Sequence, residues 1–237
     1  MKVGIMVEDK RLEYRIMEEF KRRGIPFVLL TSRDLEADVI VSDIKREFKT
    51  IVVDDEKIAV RRVTPYLHGR ERFHKIVIGI DPGPKPGIAV VGDGIIVEEI
   101  QLNCLETVRT TVDEIYDGYK PDRIIIRVGD GDVVNRNRIV NSLVDKYIVE
   151  LVNEHGTSVS ITNSDIESAK FIAFTKGKVI RKKMNTIISD GYLREIQRRS
   201  RIESHGVITI SKGLAKRVVL GEITLQEAIE LARRGYE

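Results

Sequence analysis

The stretch that most constrains the fold is Lys75–Leu102, KIVIGIDPGPKPGIAVVGDGIIVEEIQL. Lys75–Ile80 reads as an apolar strand that stops at Asp81-Pro82. Proline has no N–H to give to a sheet ladder, so the strand ends at Asp81 and leaves its carboxylate at the rim. The glycines of the following turn let it approach another backbone or a phosphate closely. Gly87–Val91 and Gly94–Leu102 read as two further strands, joined by the hairpin signal Gly92-Asp93-Gly94.

The segment continues with a regular alternation. Asn103 and Glu106 have capping-box spacing and predict a helix to about Tyr116, closed by Gly118. Pro121-Asp122 leads into a strand over Arg123–Val128, and a long helix is predicted over Val134–Asn153, with Ile139, Leu143, Tyr147, Ile148 and Leu151 on one face. Ser158–Thr162 reads as a fifth strand, and Ser164 or Asp165 as the cap of the next helix. From about Lys176 the pattern is helical. Thr224 and Glu227 form a second capping box, Ser211 caps a shorter helix, and Gly221 joins the two.

Before this segment lies a smaller pattern of strand, helix, three strands and helix. Lys2–Val7, Pro26–Thr31, Asp38–Ser42 and Ile51–Val53 are the strands. Asp9 caps a helix to Arg23, and Glu56–Leu67 is helical until Pro65 interrupts it. This describes a small α/β unit with a parallel sheet. Glu8, Asp9 and Asp43 fall at strand ends, as in a phosphoacceptor receiver, but the six residues between its second and third strands leave no room for a receiver's second helix. They are read as capping acids. The charged run His68–Arg72 is the expected boundary, giving units 1–72, 73–177 and 178–237.

Composition excludes other classes. Hydrophobic residues make up 42% and charged residues 32%, against both disorder and a membrane-embedded chain. The beginning of the sequence reads as a strand rather than a signal peptide. The single cysteine, Cys104, allows no internal disulfide and fits a reducing cytoplasm. The absence of tryptophan and the low aromatic content give a thermophile-like balance. The net charge of +3 conceals a gradient: residues 73–162 carry −5 and residues 163–237 carry +6. Lys178, Arg181, Lys182, Lys183, Arg194, Arg198, Arg199 and Arg201 concentrate the positive charge, a composition that suits a nucleic-acid backbone.

The element order and the run IGIDPGPKPGIAVV resemble the Holliday-junction resolvase and its relatives in the RNase H-like superfamily, over about Ile76–Thr175. The resemblance implies an α/β fold: an RNase H-like mixed sheet with flanking helices, here preceded by a small parallel α/β domain and followed by a basic helical extension. It implies adjacent, parallel first and fourth strands, and Asp81 as the first metal-binding acid. The family's second acid, a Glu ending the fourth strand, is replaced by Arg127, with Asp130 and Asp132 following in VGDGD. In NSDIESAKFIAFTKG, Asp165 matches one acid of the last helix, Ser168 stands for the other, and Glu167 is adjacent.

Two readings follow. Asp81, Asp130 and Asp165, with Asp132 and Glu167 in reserve, hold Mg²⁺ or Mn²⁺, whose bound water cleaves structured or branched nucleic acid. Alternatively, Arg127 pairs with Asp81 in place of the metal, leaving a catalytically degenerate nucleic-acid-binding module. An Asp-x-Gly after a strand also opens actin and sugar-kinase ATP-binding domains, but no second copy of the pattern exists in this chain. The expected partner is nucleic acid, with a homodimer as one assembly and no membrane.

Overall fold

The computed structural model describes residues 1–237 except 32–35, 47–49, 154–163, 186–189, 221 and 237. The first unit contains β1 (Val3–Ile5), α1 (Lys10–Arg22), β2 (Phe27–Leu29), β3 (Val39–Ser42), β4 (Thr50–Val52) and α2 (Glu56–Leu67). Its sheet is wholly parallel in the order β2-β1-β3-β4. Asp9 caps α1 through the N–H groups of Arg11 and Leu12, and Leu12, Ile16 and Phe20 bury the face beneath. α2 runs through Pro65 to Leu67; the interruption expected there does not occur, since the proline lies in the last turn and costs one hydrogen bond. Asp43 accepts the N–H groups of Glu8 and Asp9 at 2.9–3.0 Å, tying the ends of β1 and β3 together. Burial pushes its carboxyl up, but those donors outweigh burial and hold it below the usual range.

The second unit contains β5 (Lys75–Asp81), β6 (Gly87–Gly92), β7 (Ile95–Gln101), α3 (Val108–Tyr119), β8 (Arg123–Gly129), α4 (Val133–Leu143), β9 (Ile148–Val152), α5 (Asp165–Phe174) and β10 (Lys178–Ile180). They form one six-stranded mixed sheet in the order β10-β9-β8-β5-β6-β7. β5 and β8 are adjacent and parallel, with Ile80 beside Val128, as the element order required. The main core lies between the sheet and α3 and α4, around Ile78, Ile80, Ile126, Ile139 and Leu143.

Several expectations are corrected. The helix predicted over Val134–Asn153 stops at Leu143, and Ile148–Val152 is the parallel strand beside β8. An apolar run of that length serves either state, and a turn at Asp145-Lys146 breaks the helical period. Ser158–Thr162, predicted as the fifth strand, lies outside the described residues. Lys178–Ile180 is not helical: it pairs antiparallel with β9, so the central sheet crosses the boundary expected at residue 177. Asn103 does not cap α3; a 3-10 turn over Leu105–Thr107 precedes it, without a side-chain cap.

The tail forms α6 (Asp190–Glu203), α7 (Lys212–Leu220) and α8 (Leu225–Arg233). Ser211 Oγ accepts from Leu214 N, and Thr224 with Glu227 forms the predicted capping box. The three helices close on Leu193, Ile196, Leu214, Val219 and Ile229, with Val134 of α4 added to that cluster. Gly221, the predicted joint, lies outside the described residues. Among the described residues no helix is long and apolar enough to cross a membrane.

Candidate nucleic-acid interface and acid site

Asp81 is the last residue of β5 and is registered with Gly87, which is registered in turn with Gln101 of β7. α5 begins directly above this row. A Cβ placed on Gly87 would lie 2.2 Å from the carbonyl oxygen of Asp165, so only glycine lets the helix come this close. Gln101 Nε2 donates to Lys85 O at 2.7 Å and to Asp165 Oδ2 at 3.3 Å, fixing the first turn of α5 over the Pro82–Pro86 turn. Asp81 and Asp165, the two acids that match the resemblance, thus reach one rim of the sheet.

Two rows lower, on the same face, Gly79, Arg127 and Glu150 are registered side by side on β5, β8 and β9. Gly79 makes room for α5 as Gly87 does: an added Cβ would lie 2.1 Å from Ala169 O. Arg127 Nε donates to Glu150 Oε2 at 2.8 Å and Nη1 donates to Ala173 O at 2.7 Å. Gly177 N also donates to Glu150 Oε2, at 3.3 Å. A guanidinium is favourable against the C-terminal carbonyls of a helix, and pairing removes the cost of a buried lone charge. Arg127 therefore directs its charge to Glu150 and α5. Because Val128 is registered with Ile80, the next position, beside Asp81, falls to Gly129, which has no side chain.

Of the remaining predicted ligands, Asp132 and Glu167 have side-chain partners of their own. Asp132 caps α4, accepting from Asn135 N at 3.1 Å and Asn135 Nδ2 at 2.9 Å. Asp130 extends the ladder, its N–H bonded to Val152 O, while its own carbonyl accepts from Arg136. Glu167 pairs with Lys170 at 2.7 Å, and Lys170 also reaches Glu99. Among the described residues no group of three or more His, Cys, Asp or Glu side chains is placed to hold a metal ion.

The basic residues occupy three elements rather than one helix. Lys178 is on β10. Arg181–Lys183 follow β10, and the next two residues lie along α4: Asn141 Nδ2 donates to Met184 O and Asn137 Nδ2 to Asn185 O. Arg194, Arg198, Arg199 and Arg201 lie on α6. Lys183 pairs with Asp145, and Arg198 and Arg199 share Glu195, whose carboxyl they hold down at about 2. Lys178, Arg181, Lys182, Arg194 and Arg201 are exposed and have no acidic partner among the described residues.

Sequence reasoning missed two groups. Glu150 is the first; its signal was a single acid in an apolar strand, matching the one base in the interior of β8, Arg127. Tyr192 of α6 is the second. Its hydroxyl reaches Asn135 Oδ1 at 3.4 Å, which links the tail to the cap of α4, and burial with the nearby Asp132 charge pushes its pKa up to about 12.

Comparison with known proteins adds one local match. Residues 189–234 match a family model described as a three helical bundle domain, the region of α6, α7 and α8. No curated protein and no solved structure is significantly similar to the chain.

Proposed function

We propose that this chain is a cytoplasmic nucleic-acid-binding module of RNase H-like fold that lacks a preformed two-metal cleavage centre. The observation that carries the reading is the set of exposed bases without acidic partners among the described residues, Lys178, Arg181, Lys182, Arg194 and Arg201. Such side chains gain by displacing the counterions of a phosphate backbone. The fixed Arg127–Glu150 pair and the side-chain-free Gly129 support binding over cleavage, because the position of the family's second acid carries no available carboxylate.

The shared rim of Asp81 and Asp165 favours a second reading, a Mg²⁺- or Mn²⁺-dependent nuclease completed when substrate binds. Fluorescence anisotropy on duplex, four-way-junction and RNA probes, run beside a Mn²⁺ cleavage assay, separates the two. Salt-sensitive binding without cleavage is the expected result. Cleavage abolished by Asp81→Asn would establish the nuclease instead, and absence of binding to every probe would defeat both.

A further inference from the structure

β7 is the last strand of the order β10-β9-β8-β5-β6-β7, so one of its sides pairs with β6 and the other with no described strand. Leu102 N donates to Pro86 O at 2.9 Å. Backbone direction alternates along an antiparallel pair. Leu102 and Ile100 therefore face β6, and Glu99 and Gln101 turn their N–H and C=O groups to the unpaired side. A cleft of about 680 Å³ lies along that side, within the usual size of a ligand site. Every residue from Glu98 to Cys104 lines it. Successive side chains of a strand point to opposite faces, so consecutive residues share one cavity only where it follows the edge. The first unit contributes Arg22, Arg23 and Lys57 to the cleft, and α3 contributes Thr110 and Thr111.

We propose that this edge takes an extended segment of a partner protein as a further strand, one in which basic residues alternate with aliphatic ones. Main-chain bonds to Glu99 and Gln101 supply the pairing, and the two faces of β7 select the side chains. On the α5 face, Glu99 and Glu167 share Lys170 at 2.9 and 2.7 Å, and Asp165 stands beside them on Gln101. Three carboxylates against one ammonium leave two negative charges in excess, which favours lysine or arginine on the incoming strand. On the other face, Leu102 belongs to the main core and Ile100 packs against it, so an aliphatic side chain there extends an apolar layer. The charges of the first unit in the cleft select neither sign, because they are already paired: Arg22 and Arg23 with Glu19, and Lys57 with Glu114. A second copy could offer its own edge strand β10, which starts at Lys178, but that head-to-tail join does not close and would propagate. The proposal stands apart from the nucleic-acid reading, since β10, with Lys178, is the opposite edge of the sheet.

The test uses the full chain and labelled peptides of about six residues, one alternating lysine with valine and the other glutamate with valine. Anisotropy should show the lysine peptide binding at least about tenfold tighter than the glutamate peptide. N-methylation of one alternate set of its amides should weaken binding by about tenfold or more, and methylation of the other set should not, because only one set faces β7. Glu99→Lys/Glu167→Lys should weaken the lysine peptide by about tenfold or more, with circular dichroism as the check on folding. The methylated peptides leave the protein unaltered, so they decide the pairing even where that variant misfolds. No binding, equal binding of the two peptides, indifference to both methylation patterns, or full affinity in a folded Glu99→Lys/Glu167→Lys would overturn the proposal. So would concentration-dependent growth in sedimentation that Glu99→Pro abolishes, which would assign the edge to a second copy. A proline there removes an outward N–H and leaves the β6 ladder its own bonds.

Discussion

Arg61 of α2 and Glu98 of β7 form an ion pair across the junction of the two sheets, with N···O at 2.9 Å and both side chains only 4% exposed. Arg61 also donates to Glu114 O at 3.0 Å, and its neighbour Arg62 donates to Gly118 O at 2.7 Å and to Asp117 O at 3.2 Å. Two consecutive arginines of the first unit thus satisfy carbonyls in the last turns of α3. Gly118 allows the approach, since a Cβ there would lie 2.4 Å from Arg61 Cδ.

Removing one partner should leave the other charge buried, with only Arg23 at 3.5 Å from Glu98. Arg61→Met is expected to destabilise by about 3–5 kcal/mol, and Arg61→Met/Glu98→Leu to recover most of that loss. Urea denaturation measures both. A double variant no more stable than the single one would show that the pair is not the main tie.

Arg127→Glu is the substitution that installs the acid implied there by the RNase H-like resemblance. In this structure it sets a second carboxylate against Glu150 and the terminal carbonyl of α5. It should therefore destabilise by about 3–5 kcal/mol rather than create a metal ligand, and Arg127→Met should cost less. Thermal melts with and without Mn²⁺ check this. A folded Arg127→Glu whose melting temperature rises with Mn²⁺ would contradict it.

The β8-β5-β6-β7 part of the central sheet was legible in the sequence because Lys75–Leu102 has turn chemistry that allows few alternatives, and the parallel β5–β8 pair followed from element order. The cap at Asp9 and the Thr224–Glu227 box were legible because capping is local chemistry. β9 was not, because Ile148–Val152 reads equally well as the end of a helix and its state is decided by the neighbouring β8. At the site, Asp81 and Asp165 were singled out by the resemblance, and the structure brings both to one rim of the sheet. The partner of Arg127 was not, since register across three strands selects Glu150 and excludes Asp81.

Asp113 gives a pH dependence with a definite sign. Burial pushes its carboxyl up, but donors from Lys146, Tyr147 and Arg109 outweigh burial and hold it at about 2, below an ordinary 3.8. A group depressed in the folded state stabilises above its unfolded pKa and loses that contribution as pH falls through the folded value. The urea midpoint should drop between about pH 4 and pH 2, and Asp113→Asn should flatten that part of the profile. An unchanged profile in the variant would place the acid sensitivity elsewhere.

The basic residues should not contribute equally to nucleic-acid binding. Arg198 and Arg199 both lean on Glu195, so the three together present one net positive charge, and reversing either base changes a site already partly neutralised. Arg194 and Arg201 stand exposed on the same helix without an acidic partner among the described residues. Arg194→Glu/Arg201→Glu should therefore weaken binding to duplex DNA more than Arg198→Glu/Arg199→Glu, although both remove the same formal charge. The plot of log affinity against log salt should become shallower by about 0.9 for each phosphate that is no longer neutralised. Glu195→Gln completes the comparison: freeing Arg198 and Arg199 should tighten binding and steepen the salt dependence. Anisotropy titrations across a salt series measure all three variants. Equal weakening by the two double variants would mean that only total charge matters, and unchanged slopes would remove α6 from the interface.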